Sequence, residues 1–281
     1  TGFDGCVLTD SNTSSCHTAV EGKTTLDYHL TVREIFDFAC NISYEDIKFI
    51  LESRTLNMAL AQEGLHGNYG LRVGYAISLD CNKEVFGSDF LSYAMALTAA
   101  ASDARMAGCT LPAMSNSGSG NQGLTSTVPV VVYAEQSGAS HEQTVRALIL
   151  SHLTVIYIKQ SLGRLSALCG CVVAATGSSC GITYLMGGGY EEVTKAVKNM
   201  IANLTGMICD GAKPSCAMKC ASGVSTALVS ALMAMNNRWV KSVEGIIDDD
   251  VDRSIRNLTD IGRDAMTHTD AMILRIMTSK N

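Results

Sequence analysis

The sequence predicts a mainly α fold: a bundle-like domain of many helices with little or no sheet, and at most a few short strands near the N-terminus. Three observations carry that prediction. Apolar residues recur at three- and four-residue spacing over long windows, the pattern of a helix that buries one face. Only three prolines interrupt 281 residues, and 25 glycines with many alanines suit helices whose backbones approach closely. Strict two-residue alternation is scarce: Gly70 to Leu79 is the best strand candidate, and Thr127 to Tyr133 is ambiguous.

The elements follow in order. Residues 1–29 are polar and irregular, with a turn-rich stretch from Asp10 to Ser15, and read as the remnant of a preceding domain. The helical domain is expected over residues 30–281. Thr31 and Glu34 have capping-box spacing, with Leu30 and Ile35 placed for a hydrophobic staple, so a helix should run to about Cys40. Ser43 is placed to cap a second helix, whose Ile47, Ile50, Leu51 and Met58 recur at helical spacing until Gly64 and Gly67. Another reads from Ser88 through Phe90, Leu91, Met95 and Ala99 towards Arg105, before a glycine- and serine-rich loop over Ser115 to Gly123. Ser140 and Gln143 form a second capping box opening a helix to about Leu162. Further helices fit Glu191 to Leu204, Cys216 to Met235, Asp249 to Asp260 and Thr267 to Thr278.

Composition narrows the function classes. A hydrophobic fraction of 47 % with 17 % charged residues describes a chain able to bury a large core. The formal charge of -6 and the lack of a basic tract argue against nucleic acid as a partner. Apolar runs such as Ala147 to Ile158 are broken by Ser151 and His152 and fall short of the roughly 20 residues a bilayer span needs, so no membrane segment is expected. Eleven cysteines cannot all pair within the chain, and a reducing cytoplasmic setting is the expected one.

Two constellations stand out. Cys209-Asp-Gly-Ala-Lys-Pro-Ser-Cys216 places thiols on either side of a turn, with Cys169-Gly170-Cys171 upstream. Soft thiolates at helix ends suit an iron–sulfur cluster or zinc. Spacing alone leaves reduced cysteines packed among alanines as the simpler reading, since neither ferredoxin nor CxxC zinc spacing is present. The second is Ser115-Asn-Ser-Gly-Ser-Gly-Asn-Gln-Gly123, whose hydroxyls, amides and backbone N–H groups can hold a carboxylate without a dedicated arginine. No GxxxxGK[ST] loop occurs, and the flanks of Lys213 and Lys219 give no support for a pyridoxal phosphate Schiff base. Single polar residues inside apolar helices, such as His152 and Asn57, are more often satisfied core or interface groups than catalysts.

At Ser102-Asp-Ala-Arg-Met-Ala-Gly108, Leu111-Pro-Ala-Met-Ser-Asn-Ser-Gly-Ser-Gly-Asn-Gln-Gly123, Arg164-Leu-Ser-Ala-Leu-Cys169, Met207-Ile-Cys-Asp-Gly-Ala212 and Ser215-Cys-Ala-Met-Lys219 the chain closely resembles the L-cysteine desulfidase-like family. That family is related to the α-chain of the iron–sulfur L-serine dehydratases. The resemblance also takes in Leu56-Asn57 and Gln62-Glu-Gly-Leu65, and runs from about Leu30 to the C-terminus. It implies a [4Fe–4S] cluster held by Cys169, Cys209 and Cys216, with Cys171 as the alternative first ligand. The separations 209 − 169 = 40 and 216 − 209 = 7 match the desulfidase pattern.

The implied reaction is α,β-elimination of L-cysteine to hydrogen sulfide, ammonia and pyruvate, with L-serine dehydration as the alternative. Ser115, Asn116, Ser117, Gly118 and Asn121 would hold the substrate's carboxylate or ammonium, and His152 is the candidate general base. The upstream Gly-Cys-Thr-Glu-Pro motif of full-length members is lacking. Gly5-Cys6-Val7 matches only its start, and Ser14 to Thr18 echoes a dehydratase motif out of position. A missing N-terminal region is therefore an expected partner, and helical lyases of this size often form homodimers. The competing classes are a truncated, non-catalytic amino-acid-binding domain and a zinc-only protein.

Overall fold

The computed structural model describes residues 30–87, 89–163 and 166–280. The expected irregular remnant at 1–29, with Gly5-Cys6-Val7 and Ser14 to Thr18, lies outside the described residues, as do Ser88, Arg164 and Leu165. The described residues form helices α1 (Val32–Asn41), α2 (Tyr44–Ile47), α3 (Leu51–His66), α4 (Val73–Ser78), α5 (Lys83–Phe86), α6 (Phe90–Met106), α7 (Gly120–Ser137), α8 (His141–Leu162), α9 (Gly170–Leu185), α10 (Tyr190–Leu204), α11 (Cys216–Met235), α12 (Val251–Asp260) and α13 (Thr267–Thr278). Among them there is no strand; two isolated bridges, Asn116 with Ser119 and Leu168 with Ile208, are the only extended pairings. The fold is mainly α, as the sequence predicts.

Local chemistry sets the helix starts. The Thr31 hydroxyl accepts the Glu34 N–H at 3.1 Å, and Glu34 accepts the Thr31 N–H at 3.0 Å. Ser140 and Gln143 repeat this capping box at α8, at 3.1 and 2.8 Å. The helix read from Ser43 is instead three pieces, because a 3₁₀ turn at Lys48–Ile50 separates α2 from α3 and the Ser43 side chain makes no capping bond.

Two further readings need correction. Gly70 to Leu79 is not a strand but leads into α4. Gly70 and Arg72 both take left-handed backbone, at φ +53° each, and the buried Asp103 carboxylate accepts the Gly74 N–H at 3.1 Å. A Cβ at Gly74 would lie 2.3 Å from the Ala96 carbonyl oxygen, so glycine there lets α4 press onto α6. The loop read over Ser115 to Gly123 ends early: Gly120 to Gly123 are the first turn of α7, capped by Ser119. Thr127 to Tyr133 is interior to the same helix.

The centre of the molecule is α9, in which every residue from Cys171 to Thr183 is buried. It packs on α7, α8, α10 and α11, and Gly177 and Gly181 permit this. A Cβ on either would meet α8 carbonyl oxygens, Ser151 at 2.4 Å and Ala147 at 2.7 Å. Helix α11 is apolar and long enough to cross a membrane by composition, yet more than half of it is buried against α6, α9 and α10. That burial explains its composition as that of a core helix.

Candidate functional site

Four elements converge beside the start of α9. Cys169 is the residue before its first turn and is buried. The bridge between Leu168 and Ile208 ties it to the 207–209 segment: the Cys169 N–H donates to the Met207 carbonyl at 3.0 Å, and the Cys209 N–H to the Ala167 carbonyl at 2.6 Å. In an antiparallel bridge this makes Cys169 and Cys209 diagonal neighbours on one face, a relation that typically separates residues by about 7–8 Å, with the Cβ atoms somewhat nearer. Cys216 opens α11, its N–H donating to the Lys213 carbonyl at 2.9 Å and its thiol to the Gly211 carbonyl at 3.7 Å.

The loop that joins Cys209 to Cys216 is held by charge. Asp210 accepts from Lys219 at 2.7 Å and forms a closer ion pair with Lys213; the Lys213 bond first, then that of Lys219, hold its carboxyl far below the usual range. Lys219 also donates to the Ile208 carbonyl at 2.8 Å, which fixes its ammonium beside the thiols.

Behind Cys169 lies a second thiol pair. The Cys171 and Cys220 sulfurs are 3.5 Å apart, and Thr125 donates to the Cys220 sulfur at 3.5 Å. The Cys171 thiol also donates to Cys169; that bond, aided by the Lys219 charge and opposed by burial, holds the Cys169 thiol below its ordinary range. Burial raises the Cys216 thiol.

Ser115 to Ser119 lead into α7 and form one wall of a neighbouring space. Asn116 and Ser119 exchange backbone hydrogen bonds at 3.1 and 3.0 Å around Ser117 and Gly118, whose φ values of +48° and +78° are those of a two-residue turn with both central residues left-handed. Asn116 is buried and locked: its Nδ2 donates to His152 Nδ1 at 3.0 Å and to the His152 carbonyl at 3.1 Å, while its Oδ1 accepts the Ser117 hydroxyl at 2.8 Å. With Nδ1 accepting, the proton of a neutral His152 sits on Nε2, which donates to Thr127 Oγ1 at 3.0 Å. Burial pushes the His152 pKa down to about 4. Asn121 lies deeper, its Oδ1 accepting from Ser102 and Arg105, each at 3.3 Å. Ser115 is exposed and precedes the turn. Ser117 and Gly118 thus face the open space, whereas Asn116 braces the turn from behind and Asn121 is turned towards α6.

That space is a cavity of about 640 Å³ lined by Ser117, Gly118, Ile156, Lys159, Gln160 and Gly163. Lys159 was not singled out by sequence reasoning. Its signal was periodicity: His152, Ile156, Lys159 and Gly163 fall at i, i+4, i+7 and i+11, one face of α8. Burial lowers the Lys159 pKa, and the Cys209 and Cys169 charges raise it in part. The cavity and the cysteines therefore share an electrostatic environment. Asn57 likewise supports the site from below, its Oδ1 accepting the Met114 N–H at 2.8 Å and its Nδ2 donating to the Met114 and Gly123 carbonyls at 3.2 Å each.

Among the described residues no three His, Cys, Asp or Glu side chains stand close enough to share a single metal ion. A zinc cage, with each thiolate about 2.3 Å from the metal, needs that closeness. Cys169 and Cys209 lie diagonally across the Leu168–Ile208 bridge, and Cys216 follows Cys209 through the Asp210 loop. Lys219 and Lys159 supply positive charge beside the thiols, which must ionise to bind.

Comparison with known proteins places this geometry in a family. The profile described as serine dehydratase alpha chain matches residues 13–275. The chain is 58 % identical over 275 residues to a UPF0597 protein of Phocaeicola vulgatus, covering 98 % of this chain and 63 % of that protein. For the UPF0597 protein of Bacteroides thetaiotaomicron the identity is 60 % over 263 residues, 94 % of this chain and 61 % of the relative. A UPF0597 protein of Shewanella halifaxensis is 46 % identical over 282 residues, 98 % of this chain and 64 % of the relative. The chain therefore spans about three fifths of the length of the curated relatives it matches. The profile match includes the Asn116–Ser119 turn, the cavity face of α8 and the three cysteines, and the chain belongs to the serine dehydratase alpha chain family.

Proposed function

We propose that this chain carries the cluster-binding part of a lyase that eliminates sulfide from L-cysteine, with L-serine as the closely related alternative substrate. The reading is supported by the Leu168–Ile208 bridge, which puts Cys169 and Cys209 on one face, by Cys216 at the start of α11, and by the cavity lined by the Ser117–Gly118 turn and Lys159 of α8, whose ammonium senses the Cys209 and Cys169 charges. Those three cysteines would hold a [4Fe–4S] cluster, which when bound supplies a Lewis-acidic iron for the leaving group. The overall reaction balances as L-cysteine plus water giving pyruvate, hydrogen sulfide and ammonia.

The protein's own groups divide the remaining work. Ser115, Asn116, Ser117, Gly118 and Asn121 would hold a polar end of the substrate, the Ser117–Gly118 turn presenting fixed dipoles and Asn116 locking that turn to His152. His152 positions Asn116: its ring nitrogens are both engaged, so the α-proton passes to another group, which we assign to the part of the relatives' length this chain does not cover. Nine free cysteines among the described residues suit a reducing compartment such as the cytoplasm. Helical lyases of this kind suit a homodimer.

The test is product analysis on the full-length protein under anaerobic conditions. L-cysteine should yield equal amounts of sulfide, ammonia and pyruvate, and L-serine should yield pyruvate more slowly. Faster release from L-serine would reverse the substrate order, and no product from either would leave a non-catalytic amino-acid-binding domain.

A further inference from the structure

We infer that Lys159 is the carboxylate anchor of the substrate cavity, its ammonium receiving the α-carboxylate of a small amino acid opposite the Ser117–Gly118 turn. The inference rests on the lyase reading, in that it names which end of that substrate is held and by what.

Four observations converge on it. Lys159 lines the cavity of about 640 Å³, and the other described lining residues, Ser117, Gly118, Ile156, Gln160 and Gly163, are neutral. A volume of that size falls in the range of small-molecule sites, about 300–1,000 Å³. Among the described residues no carboxylate forms an ion pair with Lys159, although Lys213 and Lys219 of the cysteine loop each pair with Asp210. Half-buried, the ammonium is partly stripped of water without a compensating anion, a cost that an incoming carboxylate removes.

Its position on α8 is also fixed. His152 and Ile156 precede it on the same face, and His152 holds the turn through Asn116. The helix therefore sets the distance between the ammonium and the turn. Among the described lining residues, the Lys159 cation at one wall and a neutral turn at the other would orient an amino acid by its carboxylate and leave its β-substituent to the remaining space. The competing role for Lys159 is a counter-charge to Cys169 and Cys209, whose charges it senses.

Two substrate fragments separate these roles. 3-Mercaptopropionate keeps the thiol and the carboxylate, whereas cysteamine keeps the thiol and the amine. Their binding is to be measured by anaerobic calorimetry on the full-length holoprotein, its Lys159→Met variant and its Lys159→Arg variant, with iron and sulfide determined in each. Loss of one charge-assisted contact predicts that Lys159→Met weakens 3-mercaptopropionate by about 10- to 100-fold while cysteamine changes by less than about threefold. Lys159→Arg should recover most of the loss, and iron content should be equal in all three proteins. In turnover, Lys159→Met should raise KM more than it lowers kcat. Equal weakening of both fragments, no weakening of either, or loss of iron in Lys159→Met would overturn the anchor. If Lys159-dependent binding of 3-mercaptopropionate occurs in a protein that releases no pyruvate, the anchor stands and the lyase reading fails.

Discussion

Burial and hydrogen bonding give His152 a protonation state that the sequence does not reveal. Its folded pKa of about 4 lies below the ordinary 6.5, so the folded protein binds fewer protons than the unfolded chain between those values. The stabilisation from keeping this imidazole neutral is complete above about pH 6.5. It is lost as pH falls towards 4, by about 3 kcal/mol in all. Urea unfolding from pH 7 to 4 should show this slope in the wild type and a shallower one in His152→Gln. The same variant separates two roles in catalysis. A positioning residue predicts a roughly tenfold loss of kcat/KM with an unchanged pH profile; disappearance of the acid limb in His152→Gln would identify His152 as the base. Asn57 teaches a related lesson. As a lone polar residue among apolar neighbours it reads as a satisfied core group, and the structure shows what satisfies it: the Met114 backbone, the Gly123 carbonyl and Thr127 Oγ1 at 3.1 Å. Those partners hold the stretch preceding the anion turn.

At the scale of elements, capping chemistry and helical periodicity made most of the boundaries legible, because both act within four residues. The Thr31 and Ser140 boxes and the limits of α11 and α13 are of this kind. The strand expected near Gly70 is where local reasoning failed. Alternation there reflects glycines required by a crossing helix and by the buried Asp103, contacts about 20 to 30 residues away in sequence that no local pattern encodes. Glycine at such crossings is a steric requirement. A Cβ at Gly64 in α3 would lie 1.9 Å from the Ala100 carbonyl oxygen of α6, and backbone cannot rotate aside. Alanine has the better helix propensity by about 1 kcal/mol, yet the clash should dominate. Gly64→Ala should lower stability by about 2–4 kcal/mol in denaturant titration, and an unchanged midpoint would show that α3 and α6 pack less closely.

For the molecule as a whole, fold class was readable from the chain because helical periodicity marks it, whereas the three cysteines were named only through the family resemblance. The pairing of Cys171 with Cys220 and the place of Lys159 in the cavity were not readable, since each depends on how α8, α9 and α11 are brought together. The assembled picture is a helical frame whose buried centre, α9, presents Cys169 at its start, with one bridge carrying Cys209 to the same face. Its central claim is that Cys169, Cys209 and Cys216 together hold a multi-iron cluster. The most direct measurement is anaerobic iron, acid-labile sulfide and zinc analysis of the full-length protein and of alanine variants at each of the three positions. We expect about four irons and four sulfides per chain in the wild type, little zinc, and loss of both iron and sulfide in every variant. Retention of iron and sulfide in all three variants, or zinc in place of iron in the wild type, would contradict it.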